Sequence, residues 1–169
     1  MNTDNIILIG MPGSGKSTAG IVLAKFLGYD FVDTDLLIQE KTGKLLHEII
    51  TEKGLEEFKK IEEDINVSVN CRKSIIAPGG SVVYGEKAMK HFKEIGTIVY
   101  LKLPYEEVEK RLGNLQSRGV VLKEGQTLLD LYHERVPYYE KYADITVDET
   151  GLTVEETIHF ISEKTGLGR

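Results

Sequence analysis

The sequence predicts an α/β protein in which a five-stranded parallel sheet is flanked by helices in three layers. Three observations carry that expectation. Strand-like apolar runs alternate with helix-like ones, with no repeat, low-complexity tract or Pro/Ser-rich linker between them. The middle strand-like runs are too apolar to leave one face in water, as expected of parallel strands covered on both sides. The run Gly10 to Thr18, GMPGSGKST, puts a glycine-rich loop directly between the first strand and the first helix.

In chain order, Asn5 to Ile9 reads as the first strand, Lys16 to Leu27 as the first helix and Asp30 to Asp33 as the second strand. Leu55, Phe58, Ile61, Ile65 and Val69 then recur at spacings of 3, 3, 4 and 4, which places them on one helical stripe and lets the polar residues beside it face a cleft. Ser74 to Ala77 is the third strand, Glu86 to Glu94 a helix, Thr97 to Leu103 the fourth strand and Tyr105 to Leu112 a helix. Leu128 to Tyr142 is helical in pattern, and Pro137 is expected to kink or interrupt it. Ile145 to Val147 is the fifth strand, and Thr153 with Glu156 forms a capping box for a last helix. The stretch 113–126, GNLQSRGVVLKEGQ, has three glycines and no sustained helical period, which marks it as a mobile lid.

A chain of 169 residues suits one domain, 1–169, with a core large enough to need no disulfide or metal. Cys71 has no second cysteine to pair with, so a reducing compartment is expected, and it reads as a small buried hydrophobe. The first residues carry no basic n-region, and the apolar run Ile6 to Ile9 is too short for a signal or membrane segment, so a soluble, cytoplasmic protein with no membrane partner is expected. Twenty-seven acidic against 21 basic residues give a net charge of −6, which disfavours nucleic acid because its phosphates would be repelled. An anionic ligand must therefore meet a local basic cluster. His47, His91, His133 and His159 lie far apart and form no zinc-type spacing. A monomer is the expected form.

Gly10, Gly15, Lys16 and Ser17 satisfy G-x-x-x-x-G-K-[ST] in the strand-to-helix context that gives the pattern its mechanism. Glycines let successive N–H groups converge on phosphate oxygens at a helix N-terminus, where the helix dipole also favours negative charge. Gly13, Ser14, Gly15, Lys16, Ser17 and Thr18 are the expected nucleotide contacts, with Lys16 neutralising the β and γ phosphates and the Ser17 hydroxyl ligating Mg²⁺. A guanine-reading N-K-x-D motif is absent, and the late D-x-x-G, Asp148 to Gly151, reads as a turn into the last helix. Asp33-Thr34-Asp35 follows the second strand and should face the same cleft. Alternation along an extended segment would separate the two carboxylates, Asp33 holding the Mg²⁺ water shell and Asp35 facing an acceptor hydroxyl. Two aspartates capping the next helix are the plainer alternative.

The phosphate loop, this DTD, EFKKIEEDI (Glu57 to Ile65), PGGSVV (Pro78 to Val83) and RVPYYEKYAD (Arg135 to Asp144) occur in the order seen in the shikimate kinases, and over nearly its whole length the chain resembles that family. The resemblance implies a three-layer P-loop kinase fold like that of the nucleoside monophosphate kinases, with a substrate-binding helical region at about 35–62 and a closing lid at about 113–126. It implies ATP and a small hydroxylated carboxylic acid as ligands, Mg²⁺ as cofactor, and transfer of a phosphoryl group to a shikimate hydroxyl in aromatic amino acid biosynthesis. By the same resemblance Asp35 orients or deprotonates that hydroxyl, Arg135 binds the substrate carboxylate, and Gly79 and Gly80 bring backbone against the substrate. Arg118 in the lid reaches the transferring phosphoryl group, and Arg111 is a candidate for adenine contact.

Three departures fall on the substrate side and the lid. Lys59 stands where the family usually has Arg, so a point charge replaces a two-pronged carboxylate grip. Ser81 stands where a third glycine is usual, and Arg118-Gly119-Val120-Val121 replaces an expected Arg-Pro-Leu. Lys59, Ser81, Gly79, Gly80, Asp35 and Arg135 are accordingly the expected substrate contacts. Two other readings stay open on these residues: a kinase of another small hydroxy acid such as homoserine, and a nucleotide-binding regulator without transfer chemistry.

Overall fold

A computed structural model describes residues 4–113, 120 and 122–168. The strands are β1 (Asn5–Ile9), β2 (Asp30–Asp33), β3 (Ser74–Ala77), β4 (Gly96–Lys102) and β5 (Ile145–Asp148). All pair in parallel, in the order β2-β3-β1-β4-β5, with Ile7 opposite Ile76 on one side and Ile98 on the other. Every residue of β1 is buried, because it lies mid-sheet with helices on both faces. Side chains alternate across a strand. Ile6 and Leu8 therefore pack with Leu23, Ile158 and Ile161, from α1 (Lys16–Leu27) and α8 (Val154–Thr165). Ile7 and Ile9 pack on the opposite face with Phe92 and Tyr139, from α5 (Glu86–Ile95) and α7 (Leu128–Tyr142). The three layers expected from the sequence follow from this alternation, and each predicted strand is present to within a residue at either end.

The chain from Thr34 to Val67 folds as three helices, α2 (Thr34–Thr42), α3 (Leu46–Lys53) and α4 (Leu55–Val67), around a small core of Ile38, Ile49, Phe58 and Ile65. This corrects the extended reading of Asp33-Thr34-Asp35. Asp33 is the N-cap of α2, its Oδ1 accepting from the Asp35 and Leu36 N–H groups at 2.9 and 3.3 Å, so Asp35 sits in a helical first turn. The capping hydrogen bonds outweigh the strand continuation.

Pro137 does not interrupt α7, which runs through it. Its ring and His133, whose carbonyl loses its helical donor, are both on the exposed side, open to solvent, while Leu131, Arg135 and Tyr139 anchor the buried side. A short 3-10 turn, Val82–Tyr84, and α6 (Tyr105–Leu112) complete the elements. Asp148 Oδ1 accepts from the Thr150 N–H at 3.0 Å, and α8 begins at Val154, so the late D-x-x-G is the turn it was expected to be. Of the expected lid, residues 114–119 and 121 lie outside the described residues. Among the described residues, no helix is long and apolar enough to cross a membrane.

Candidate active site

β1 is central, β3 pairs with it on one side and β4 on the other, and a crevice opens where the strand order reverses, beyond the carboxyl ends of the strands. The loop after β1 enters α1 through Gly13 and Gly15 at φ +79° and +85°, a left-handed backbone that side-chain-bearing residues rarely adopt. Gly15 is the N-cap of α1 and supplies no capping side chain, and the first turn has no acidic residue. The positive end of the helix is thus left for an anion.

A cavity of about 560 Å³ lies over this loop. Its wall takes in Gly13, Gly15, Lys16, Ser17, Thr18 and Arg111 on the phosphate side. Asp33, Asp35, Gly79, Gly80, Ser81 and Arg135 form the other side. The Lys16 ammonium donates to the carbonyls of Gly10 and Met11, both at 2.8 Å. Burial lowers its pKa to about 8, against the opposing pull of Asp35. Arg111 spans the loop, with Nη1 3.4 Å from the Gly13 carbonyl oxygen. Ser14 is placed differently from its neighbours: its side chain is wholly buried under the loop and its N–H donates to Met11, so it does not line the cavity.

On the facing side, Gly79 and Gly80 leave room that no side chain could share. A β-carbon at Gly79 would lie 2.9 Å from Asp35 Oδ1 and 3.2 Å from Glu62 Oε2, and one at Gly80 would lie 2.9 Å from Arg135 Nη1. The two glycines therefore let two carboxyl groups and a guanidinium converge on the backbone. Burial, with Asp33 nearby, pushes the Asp35 carboxyl up to about 6, although Lys16 works the other way. Arg135 is buried; that burial opposes its charge, but Tyr139 and the Tyr84 hydroxyl hold its pKa above the ordinary value. Its Nε donates to Tyr84 Oη at 3.4 Å, and Tyr84 Oη donates to Glu134 at 2.7 Å. One turn on, the Tyr139 hydroxyl donates to the Gly80 carbonyl at 2.7 Å, so α7 holds both Arg135 and the glycine loop.

Lys59 is not brought into this cavity. Its ammonium stands 4.5 Å from the centre of the Tyr84 ring and 3.6 Å from Glu56 Oε1, lining a neighbouring cavity of about 310 Å³. Arg118 is outside the described residues, whereas Val120, two positions on, is buried and lines the main cavity.

Three residues of the site were missed from the sequence. Glu62 is 3% exposed, accepts from Ser81 Oγ at 2.7 and 2.9 Å, and is pushed by burial up to about 7. Tyr139 was readable as the residue four on from Arg135 on one helical face. Glu149 is buried, its Oε2 has no hydrogen-bond partner among the described residues, and burial raises it to about 7 while it faces Arg111 and Lys16; it carried no sequence signal. A metal would find Ser17 and Asp33 lining the same cavity, but Asp33 Oδ1 is committed to capping α2. Among the described residues, no group of three or more His, Cys, Asp or Glu side chains could hold a metal by itself. Two oxygen donors suit a magnesium ion that keeps most of its water and arrives with phosphate.

The family model for shikimate kinase matches residues 12–165. The chain is 38% identical over 155 residues to the shikimate kinase of Thermodesulfovibrio yellowstonii, covering 90% of this chain and 89% of that one. Its fold superposes on the shikimate kinase of Acinetobacter baumannii solved in complex with shikimate, with a TM-score of 0.86 at 29% identity, over 95% of this chain and 92% of that one. The shikimate kinase of Aquifex aeolicus gives a TM-score of 0.80 at 30% identity, over 98% and 99%. With the phosphate loop, Asp35, the paired glycines and Arg135 gathered in one cavity, the chain belongs to the shikimate kinase family.

Proposed function

We propose that this protein transfers the γ-phosphoryl group of ATP to a hydroxyl of shikimate, giving ADP and shikimate 3-phosphate. The observation that carries the reading is the single cavity with a phosphate loop on one side and Asp35 and Arg135 on the other, in a member of this family. ATP phosphates lie at the N-terminus of α1, with Lys16 leaving the Gly10 and Met11 carbonyls to meet them. Arg135 holds the acceptor carboxylate against the Gly80 backbone, and charge with a planar fork suits that task. Asp35, ionised above about pH 6, accepts a hydrogen bond from the acceptor hydroxyl and takes its proton as the oxygen attacks phosphorus. Phosphoryl transfer otherwise needs alignment and neutralisation of spreading charge, which Lys16 and the loop N–H groups supply. Magnesium held by Ser17, and through water by Asp33, would neutralise phosphate charge when bound. Arg118 is assigned, by the resemblance, the neutralisation of charge on the transferred group.

A coupled ADP-release assay with shikimate, homoserine and gluconate tests the reading. Shikimate-dependent turnover is expected. Turnover with homoserine or gluconate and none with shikimate would transfer the site to another hydroxy acid, and ATP binding without turnover on any of the three would make it a regulator.

A further inference from the structure

Glu62 has no place in the transfer step, yet it is the most enclosed carboxyl group on the acceptor side. It lies on α4 with 3% of its surface exposed, beside the buried Phe58 and Ile65, and forms part of the wall of both the main cavity and the neighbouring 310 Å³ cavity. The Ser81 hydroxyl reaches both of its oxygens, at 2.7 and 2.9 Å. It shares the Gly79 backbone with Asp35, so two carboxyl groups flank the surface an acceptor must approach. The groups facing it are Ser81, Asp35 from α2, Arg135 and Tyr139 from α7, and Lys59 from its own helix. Of the two cations, Lys59 is drawn off to Tyr84 and Glu56. An acidic acceptor would thus bring its negative charge towards two carboxylates with Arg135 as the nearby counter-charge.

We propose that Glu62, held in place by Ser81, is a positioning residue that admits the acidic acceptor only when it carries a proton, so that acceptor binding takes up one proton from solvent onto the Glu62 carboxyl. The inference rests on the reading of Arg135 as the acceptor-carboxylate site. Protonation removes one negative charge from the wall and converts an acceptor-only group into one with an O–H to donate. One oxygen still accepts from Ser81, and the acceptor itself keeps its charge for Arg135. Burial supports the exchange in the neutral range by raising Glu62 to about 7, and the Ser81 hydrogen bond opposes that rise by favouring the ionised form.

Below about pH 7 Glu62 is protonated and the acceptor is held; as pH rises through that value the group ionises and acceptor KM climbs, by at most about tenfold per pH unit. The ATP KM does not share this transition. In Glu62→Gln the wall is neutral at every pH and the acceptor KM loses that climb. In Ser81→Gly the stabiliser of the ionised form is gone, so the climb moves to higher pH. Acceptor and ATP KM from pH 5.5 to 9 for the three proteins, with ¹³C-carboxyl NMR of Glu62 in the free protein and with shikimate bound, test this. The expected NMR result is a titration midpoint that moves up with shikimate. A Glu62→Gln enzyme that keeps the wild-type pH profile, or a midpoint unmoved by bound shikimate, overturns the inference alone. No shikimate binding at any pH overturns the substrate reading and the inference with it.

Discussion

Replacing Tyr139 by Phe removes one oxygen and should cost both stability and acceptor affinity. The Tyr139 ring is wholly buried and stacks on Tyr100 with centroids 5.2 Å apart and planes 25° apart, contacts that Phe keeps. What Phe lacks is the hydroxyl that donates to the Gly80 carbonyl at 2.7 Å. Burial pushes that hydroxyl up to about 12, so it remains a donor at any pH at which the protein is assayed. Leaving the Gly80 carbonyl without its partner costs about 1–2 kcal/mol, because the group is only partly open to water. For a chain of this size that lowers Tm by about 2–8 °C. The same loss frees the loop that sets Gly80 against Arg135, so acceptor KM should rise by about fivefold to tenfold while ATP KM holds within about twofold. Differential scanning calorimetry and steady-state kinetics with each substrate varied in turn measure both effects. An unchanged Tm, or an ATP KM that rises as much as the acceptor KM, would refute the idea that Tyr139 acts through the glycine loop.

Asp35→Asn should lower kcat by about a hundredfold or more with ATP affinity nearly intact, and the rise of wild-type kcat through about pH 6 should disappear; retained full activity would exclude Asp35 from the chemistry. Lys59→Ala should leave acceptor KM within about twofold, since Lys59 stands over Tyr84 in the side cavity, and a tenfold increase in a kinetic assay would put it in the acceptor site instead. Glu149→Gln removes a negative charge that helps keep Lys16 protonated, so the Lys16 pKa should fall further below its ordinary value. The rise in ATP KM expected above about pH 8 in the wild type should then begin at lower pH, and coincident profiles for the two proteins would count against that coupling.

The parts of the site that were readable in advance are those encoded by neighbours in sequence. The phosphate loop needs glycines, a lysine and a hydroxyl at fixed local spacing, and its strand and helix are defined by runs buried on both faces or by one helical period. Asp33 stays open between two readings in the sequence because a carboxylate at the end of a strand can either extend it or cap the following helix, and only the N–H groups of Asp35 and Leu36 decide for the cap. Glu62 was hidden for a different reason. In EFKKIEEDI it is one of several charges and looks solvated, whereas its partner Ser81 comes from nineteen positions further along the chain. Helix geometry nevertheless separates Glu62 from the other charges of this segment. At about 100° per residue, Glu62 lies about 40° from Phe58 around α4, while Lys59 lies about 100° away. If the Phe58 stripe faces the core, the carboxyl on its flank faces the cavity with it and the lysine turns aside, as Tyr84 and Glu56 confirm by receiving it. On the proposed role of Glu62, the charge that matters on this helix is then the carboxyl that packs with the stripe, and the Arg-to-Lys departure at position 59 should weigh less on acceptor binding than the glycine-to-serine departure at 81, which gives that carboxyl its hydrogen-bond donor.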